Sequence, residues 1–325
     1  MPEITVRDAL HNAHREAMLN DPDVFIMGED IGEYGGAYTV TAGLLDEFGE
    51  GRVRDTPISE SAFVGAGIGA AIAGLRPIVE FMNLNFALLA FDQILNIGAS
   101  IRYMSNGQFQ VPIVIRAPTG GGIQLAATHS RSYENWLAAV PGLKVVAPST
   151  PYDALGLFRS SLADPNPVLL IEHVLMYQRR GPVPDEHFTV PIGKADVKRP
   201  GKDLTIVTYH HALLAAFEAA DTLSRKGVEA EIVDLRSLRP LDMDTIRKSV
   251  SKTNRVLLIE ENWKSGGIMA EVASRIQDEA LDVLDGPVAR VGAKEVPHPY
   301  ARVLEQAMIP SAKEILAELD RVYGM

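Results

Sequence analysis

The sequence predicts a two-domain α/β protein, on three observations. Short apolar runs rich in Val, Ile and Leu alternate with segments of helical period. The alternation lapses once, near residues 176–202, and then resumes. The 325 residues are enough for two cores of roughly one to two hundred residues each.

In the first domain, strands are predicted at 24–29, 77–81, 111–117, 144–149 and 167–173, from runs such as VFIMGE and PVLLIEH. Helices are predicted at 5–19, 61–74, 86–104, 132–139 and 151–163. The last opens at Ser149-Thr150-Pro151, a hydroxyl cap followed by proline. Strand and helix in strict alternation point to a mainly parallel sheet. The domain is placed at 1–180, and the proline-rich stretch 181–202 reads as a linker. The second domain, 203–325, repeats the pattern with strands at 203–209, 228–235, 255–261 and 287–292 and helices at 211–226, 242–251 and 268–281.

Composition narrows the function. A formal net charge of -11 opposes association with a phosphate backbone and would welcome a basic partner. Without cysteine, the chain has no disulfide, thiolate nucleophile or thiolate-held metal. The first residues carry charges every few positions and lack the apolar core of a signal peptide, so a cytoplasmic setting is expected. The longest uncharged stretch, Ala62 to Leu75, falls short of the roughly 20 apolar residues that span a bilayer, so no membrane contact is expected.

Several motifs bear on chemistry. Gly65 to Ala70 satisfies GxGxxA, but the glycines fall inside a helix rather than in the strand-to-helix turn that a dinucleotide needs, so close packing explains them better. Ser59 and Glu60 stand at the start of that helix, where both could cap it. Flanked by Ile58, Phe63 and Val64, the Glu60 carboxyl could also be desolvated and share a proton with a ligand base. The segment 115–136 follows a strand end and holds Gly120-Gly121-Gly122 and Thr128-His129-Ser130, in the kind of loop where α/β proteins place ligands. In FMNLNFALLAFDQI, alternation puts Phe81, Asn83 and Asn85 on one side of an extended segment. Met82, Leu84 and Phe86, on the other, could form a wall for a flat ring. His210-His211 lacks a third ligand at metal spacing and is read as polar capping, and Glu260-Glu261-Asn262 as a polar strand end. No GxxxxGK[ST], GxSxG, HExxH or GDG with paired asparagines occurs, so the chain has no complete phosphate or metal-phosphate cradle.

Taken together, Gly28-Glu29-Asp30-Ile31-Gly32, Thr56-Pro57-Ile58-Ser59-Glu60, Phe81-Met82-Asn83, Phe91-Asp92-Gln93, His129-Ser130, Pro141-Gly142-Leu143-Lys144 and Arg239-Pro240-Leu241-Asp242 resemble, over essentially the whole chain, the β subunits of the pyruvate dehydrogenase decarboxylating component. Glu172-His173-Val174-Leu175 and Leu304-Glu305-Gln306-Ala307 look like the bacterial and plastid form. The resemblance implies a thiamine diphosphate enzyme with a pyrimidine-binding domain and a transketolase C-terminal-like domain. It implies an α2β2 heterotetramer in which the α subunit carries the diphosphate and Mg2+. By matching position, Glu60 meets the aminopyrimidine, Ile58, Met82 and Phe86 pack it, and His129 lies near substrate and the incoming lipoyl group. A potassium ion is implied at Ile113, Ser161, Leu162, Asp164 and Asn166. Further implied partners are the lipoyl and subunit-binding domains of a dihydrolipoamide acetyltransferase, the latter suited to the acidic charge; a plastid stroma is the alternative setting. Branched-chain 2-oxo acid and acetoin dehydrogenases share the scaffold. A non-catalytic assembly subunit and a nicotinamide oxidoreductase are the rivals from other classes.

Overall fold

The computed structural model describes residues 1–325. It divides into two compact units, Met1–Thr119 with Trp136–Ile192, and Gly120–Asn135 with Gly193–Met325.

The first unit runs β1 (Glu3–Thr5), α1 (Val6–Asn20), β2 (Val24–Gly28), α2 (Leu44–Phe48), β3 (Val53–Asp55), α3 (Glu60–Ile72), β4 (Arg76–Glu80), a 3-10 segment Leu84–Ala90, a π-helical segment Asp92–Gly98, α4 (Ile101–Met104) and β5 (Val114–Thr119). It continues through α5 (Glu134–Ala138), which spans the junction of the units, β6 (Lys144–Val146), α6 (Pro151–Ala163), β7 (Val168–His173) and β8 (Arg180–Pro182). Strands β6-β7-β5-β4-β2-β3 lie side by side, all parallel. β5 and β7 are buried along their whole length, so neither shows an alternation of buried and exposed positions, and the polar residues they carry, Arg116 and Glu172 among them, are buried with the rest. On one face α1 and α6 pack together, with His14 against Phe158. Their starts are set by side chains: a Thr5–Asp8 capping box for α1, and the Thr150 hydroxyl with Pro151 for α6. Glycine is required at Gly142, where φ is +93° and a Cβ would lie 2.1 Å from the Ala99 carbonyl oxygen.

The second unit contains β9 (Asp196–Arg199), β10 (Leu204–Thr208), α7 (Ala212–Ser224), β11 (Ala230–Asp234), β12 (Ser237–Arg239), α8 (Met243–Thr253), β13 (Val256–Trp263), α9 (Ile268–Ala280), β14 (Ala289–Ala293), α10 (Arg302–Met308) and α11 (Ala312–Tyr323). Its sheet has the order β14-β13-β10-β11-β9, parallel except for β9. Ile206, Ile232, Leu257 and Ile259 pack with Ala216, Ala220 and Leu223 of α7 and Ile315 and Leu319 of α11.

Three expectations are corrected. The stretch 181–202 is not a free linker: β8 pairs with β1 and β9 joins the second sheet, because backbone pairing needs no apolar periodicity. The helix expected over 86–104 is broken into 3-10, π and α pieces. Residues 120–135 pack with the second unit although they follow a strand of the first. No single helix is long and apolar enough to cross a membrane.

Candidate active site

In the first unit, β4, β2 and β3 are neighbours, so the segments leaving their carboxyl ends emerge side by side. Close spacing is enforced at Gly28, where an added Cβ would stand 2.5 Å from the Glu80 carbonyl oxygen. The segment after β3 is tied back by the Thr56 N–H donating to the Gly28 carbonyl (2.8 Å). The Ser59 hydroxyl turns away to the Pro57 carbonyl (3.0 Å) and makes no cap, contrary to the capping alternative. Glu60 becomes the first residue of α3 and is only 4% exposed. Two residues earlier Ile58 is 83% exposed.

Glu29, leaving β2, is 5% exposed. Burial pushes its carboxyl above the usual range; the charges of Glu60 and Asp30 add to this, and the Ser59 N–H opposes it. One carboxylate oxygen, Oε1, is buried without a partner. The Glu29 carboxyl, leaving β2, therefore feels the Glu60 carboxyl at the start of α3, and the like charges oppose one another.

After β4, Phe81 and Asn83 are buried while Met82 and Phe86 are half-buried. The expected two-sided pattern fails at Leu84, which is fully buried. The Asn83 side chain accepts the Asn85 N–H (2.9 Å) and starts the 3-10 segment, so alternation stops there. Ile58, Glu60, Met82 and Phe86 thus lie on the segments that follow the two strands flanking β2.

Behind these ends lies a buried ionic cluster that sequence reasoning missed. Arg116 of β5 is fully buried and donates from Nε (2.8 Å) and Nη2 (2.5 Å) to Glu172 and from Nη1 to Glu80; the Tyr177 hydroxyl also donates to Glu172 (2.5 Å). Burial raises the Glu80 carboxyl even though Arg116 opposes the shift.

In the second unit, His129 is half-buried, with the Thr128 hydroxyl 2.8 Å from its Nδ1. At the end of the same loop, buried Glu134 accepts from the Tyr209 hydroxyl (3.0 Å), has its other oxygen unpartnered, and is pushed by burial to about 7. Glu260 of β13, whose carboxyl reaches the N-terminus of α9, is pushed by burial to about 8 against the opposing Met269 N–H. His211 makes no cap bond to α7 and instead contacts Glu261 through Nδ1.

The five residues implied for potassium lie in the first unit, Ser161 to Asn166 on one turn. Asp164 accepts from Asn166 and pairs with Lys144, Asn166 Oδ1 accepts from Arg102 (2.8 Å), and Arg76 donates to the Leu162 carbonyl. The Ile113 and Ser161 carbonyls each accept one amide. An all-oxygen set suits a hard monovalent cation, and the second lone pairs of the carbonyls are the donors left for it.

Comparison with known proteins bears on this arrangement. The family described as "Transketolase, pyrimidine binding domain" matches residues 2–179, and "Transketolase, C-terminal domain" matches 193–315. The chain is 47% identical over 322 residues to the pyruvate dehydrogenase E1 component subunit beta of Gracilaria tenuistipitata var. liui, covering 99% of this chain and all of that one. It is 47% identical over 323 residues to the mitochondrial subunit beta-1 of Arabidopsis thaliana, covering 98% and 89%, and to the subunit beta of Rhizobium meliloti (strain 1021), covering 99% and 70%. The chain belongs to the pyruvate dehydrogenase E1 beta-subunit family. A solved structure titled "Split gene transketolase, inactive beta4 tetramer" shares the fold, with a TM-score of 0.81, 24% identity, and coverage of 99% of this chain and 98% of that one. In this E1 beta-type chain, His129 falls within the residues matched to the pyrimidine-binding domain, yet its loop packs with the second compact unit.

Proposed function

We propose that the chain is the β half of a two-chain pyruvate dehydrogenase, completed by an α subunit in an α2β2 assembly. The enzyme uses thiamine diphosphate to decarboxylate pyruvate and acetylate a lipoyl group. The observation that carries this reading is the Glu29–Glu60 pair: two buried carboxyls, one at the end of β2 with an orphaned oxygen and one at the start of α3, in a chain with no phosphate cradle of its own.

The cofactor fits the residues present: the unpartnered buried oxygen belongs to Glu29, beside Glu60, and calls for a donor such as the amino group of an aminopyrimidine. When bound, thiamine diphosphate supplies the carbon nucleophile and the electron sink, with its diphosphate and Mg2+ held by the α subunit. Glu60 would meet a ring nitrogen of the pyrimidine through a hydrogen bond, with the Glu29 carboxyl beside it. Ile58, Met82 and Phe86 pack the ring and exclude water. His129, its ring oriented by Thr128, serves as donor to the substrate carboxylate or a lipoyl sulfur. Ile113, Ser161, Leu162, Asp164 and Asn166 form the oxygen set for K+. An acetyltransferase subunit-binding domain with basic charge is the partner that the net charge of -11 favours.

The test is Glu60→Gln in the enzyme assembled with its α subunit. Turnover of pyruvate should nearly vanish while assembly persists, and near-normal turnover would sink the assignment. A panel including branched-chain 2-oxo acids and acetoin fixes the substrate.

A further inference from the structure

The loop that carries His129 is held in an unfavourable backbone conformation. Gly120 and Gly122 have φ of +91° and +104°, which glycine tolerates, but Gln124 and Ala126 also lie at positive φ, +60° and +62°. Side chains with a Cβ adopt that region reluctantly and persist there only when their surroundings impose it. Burial does not impose it here. Ile123, Gln124, Leu125 and Thr128 are exposed, and Gly122, Ala126, Ala127 and His129 are half-buried.

What the loop does have is Glu305. This α10 carboxylate is fully buried; it accepts the Gly122 N–H at 2.8 Å through Oε1 and the Gln124 N–H at 3.2 Å through Oε2. The helix that presents it is unusual, since of its seven residues only Glu305 and Met308 face inward while Val303 and Leu304 are exposed. An apolar residue would suit the inward position better for stability, because a buried carboxylate is costly unless donors surround it. The two loop amides are such donors. His298, also buried, closes the approach from the other side: a Cβ on Gly121 would meet its ring at 3.1 Å.

We infer that Glu305 is a positioning residue, whose carboxylate clamps the backbone of Gly122 and Gln124 and thereby sets where the loop presents His129. The inference rests on the role proposed for His129. It assigns the second domain a part in the acyl-transfer chemistry that is separate from binding the cofactor.

The test uses the β chain assembled with its α subunit. In the unmodified enzyme, residue-resolved hydrogen exchange should find the Gly122 and Gln124 amides about tenfold slower than those of Ile123 and Leu125. Equal rates would overturn the clamp, and this measurement needs no variant. In Glu305→Gln that protection should fall about tenfold while the β10 and β11 amides keep theirs. kcat/KM for the lipoyl acceptor should drop by a similar factor with the KM for pyruvate little changed. In an H129A background, E305Q should cause no further loss, whereas multiplied losses would show that Glu305 does not act through His129. A fully active H129A enzyme with the exchange shift intact would refute the role of His129 instead, so the two failures are distinguishable.

Discussion

Replacing Arg116 by methionine tests how the strand ends at the site are held. The substitution keeps the volume and removes the cation, leaving Glu80 and Glu172 buried with only Tyr177 donating to Glu172. Removing one partner of a buried ion pair costs about 3–5 kcal/mol, because the other charge stays behind without solvent. Relief comes from protonation. Burial already raises the Glu80 carboxyl with Arg116 present, and loss of the guanidinium raises it further. A carboxyl raised in the folded state favours folding below its unfolded value and loses that contribution as pH climbs through the folded one. The deficit of the variant should therefore be small near pH 5 and grow toward pH 8, by about 1.4 kcal/mol per pH unit for each proton retained. Urea unfolding followed through Trp136, which lies against Phe91 in the first unit, measures this. Adding E80Q and E172Q to R116M should restore at least half of the loss at pH 8. A deficit under about 1 kcal/mol, or one that ignores pH, would refute the assignment of the cluster as the clamp on β4, β5 and β7.

The other tests are more local. Gly67→Ala places a Cβ 2.6 Å from Val79 Cγ2 and should destabilise the isolated chain by about 1–3 kcal/mol despite better helix propensity. Gly69→Ala meets nothing within 4 Å and should stabilise it by up to about 1 kcal/mol; urea midpoints that fail to separate the two would discredit the packing account of these glycines. Glu260, raised to about 8, contributes most below the ordinary carboxylate range and loses that contribution as pH rises to 8, so the second domain should weaken over this window. Glu260→Gln should flatten that dependence, and parallel slopes in parent and variant would count against it. Exchanging potassium for choline at constant ionic strength should lower the midpoint of thermal unfolding if the 161–166 turn holds the ion, and an unmoved midpoint removes K+ from the reading.

Much of the scaffold is legible because parallel strands buried on both faces leave short, mostly apolar runs; all five strands expected in the first domain are present, with ends displaced by up to three residues. Three-residue strands such as β3 are too short for any periodicity to register. The 86–104 segment reads as one helix because its composition is helical throughout, and nothing in composition foretells a switch to π hydrogen bonding at Asp92. Helix α11 did carry a signal, the Ser311–Glu314 capping box. Glu60 and His129 stand out by position and type. Glu29 does not, because its meaning depends on β2 lying beside β3, and Glu305 acts on backbone amides that have no side-chain signature.

The buried acids themselves separate structural from functional roles. Glu80 and Glu172 are closed by Arg116, and Glu260 has Arg290 within 3.6 Å as well as a helix N-terminus; their charges are answered inside the fold. Glu29 and Glu134 each keep an oxygen with no donor at all, and Glu305 is satisfied only by a loop whose backbone would otherwise relax. A protein selected for stability alone would discard such carboxyls, because each removes solvation without a cation in return. Glu29 lies at the end of β2, Glu134 at the end of the loop that bears His129, and Glu305 on α10 with its carboxylate on that loop, where the proposed chemistry needs an acceptor for the cofactor and a fixed donor. These acids without a cation, rather than the glycine-rich helix α3, therefore mark the working parts of this chain.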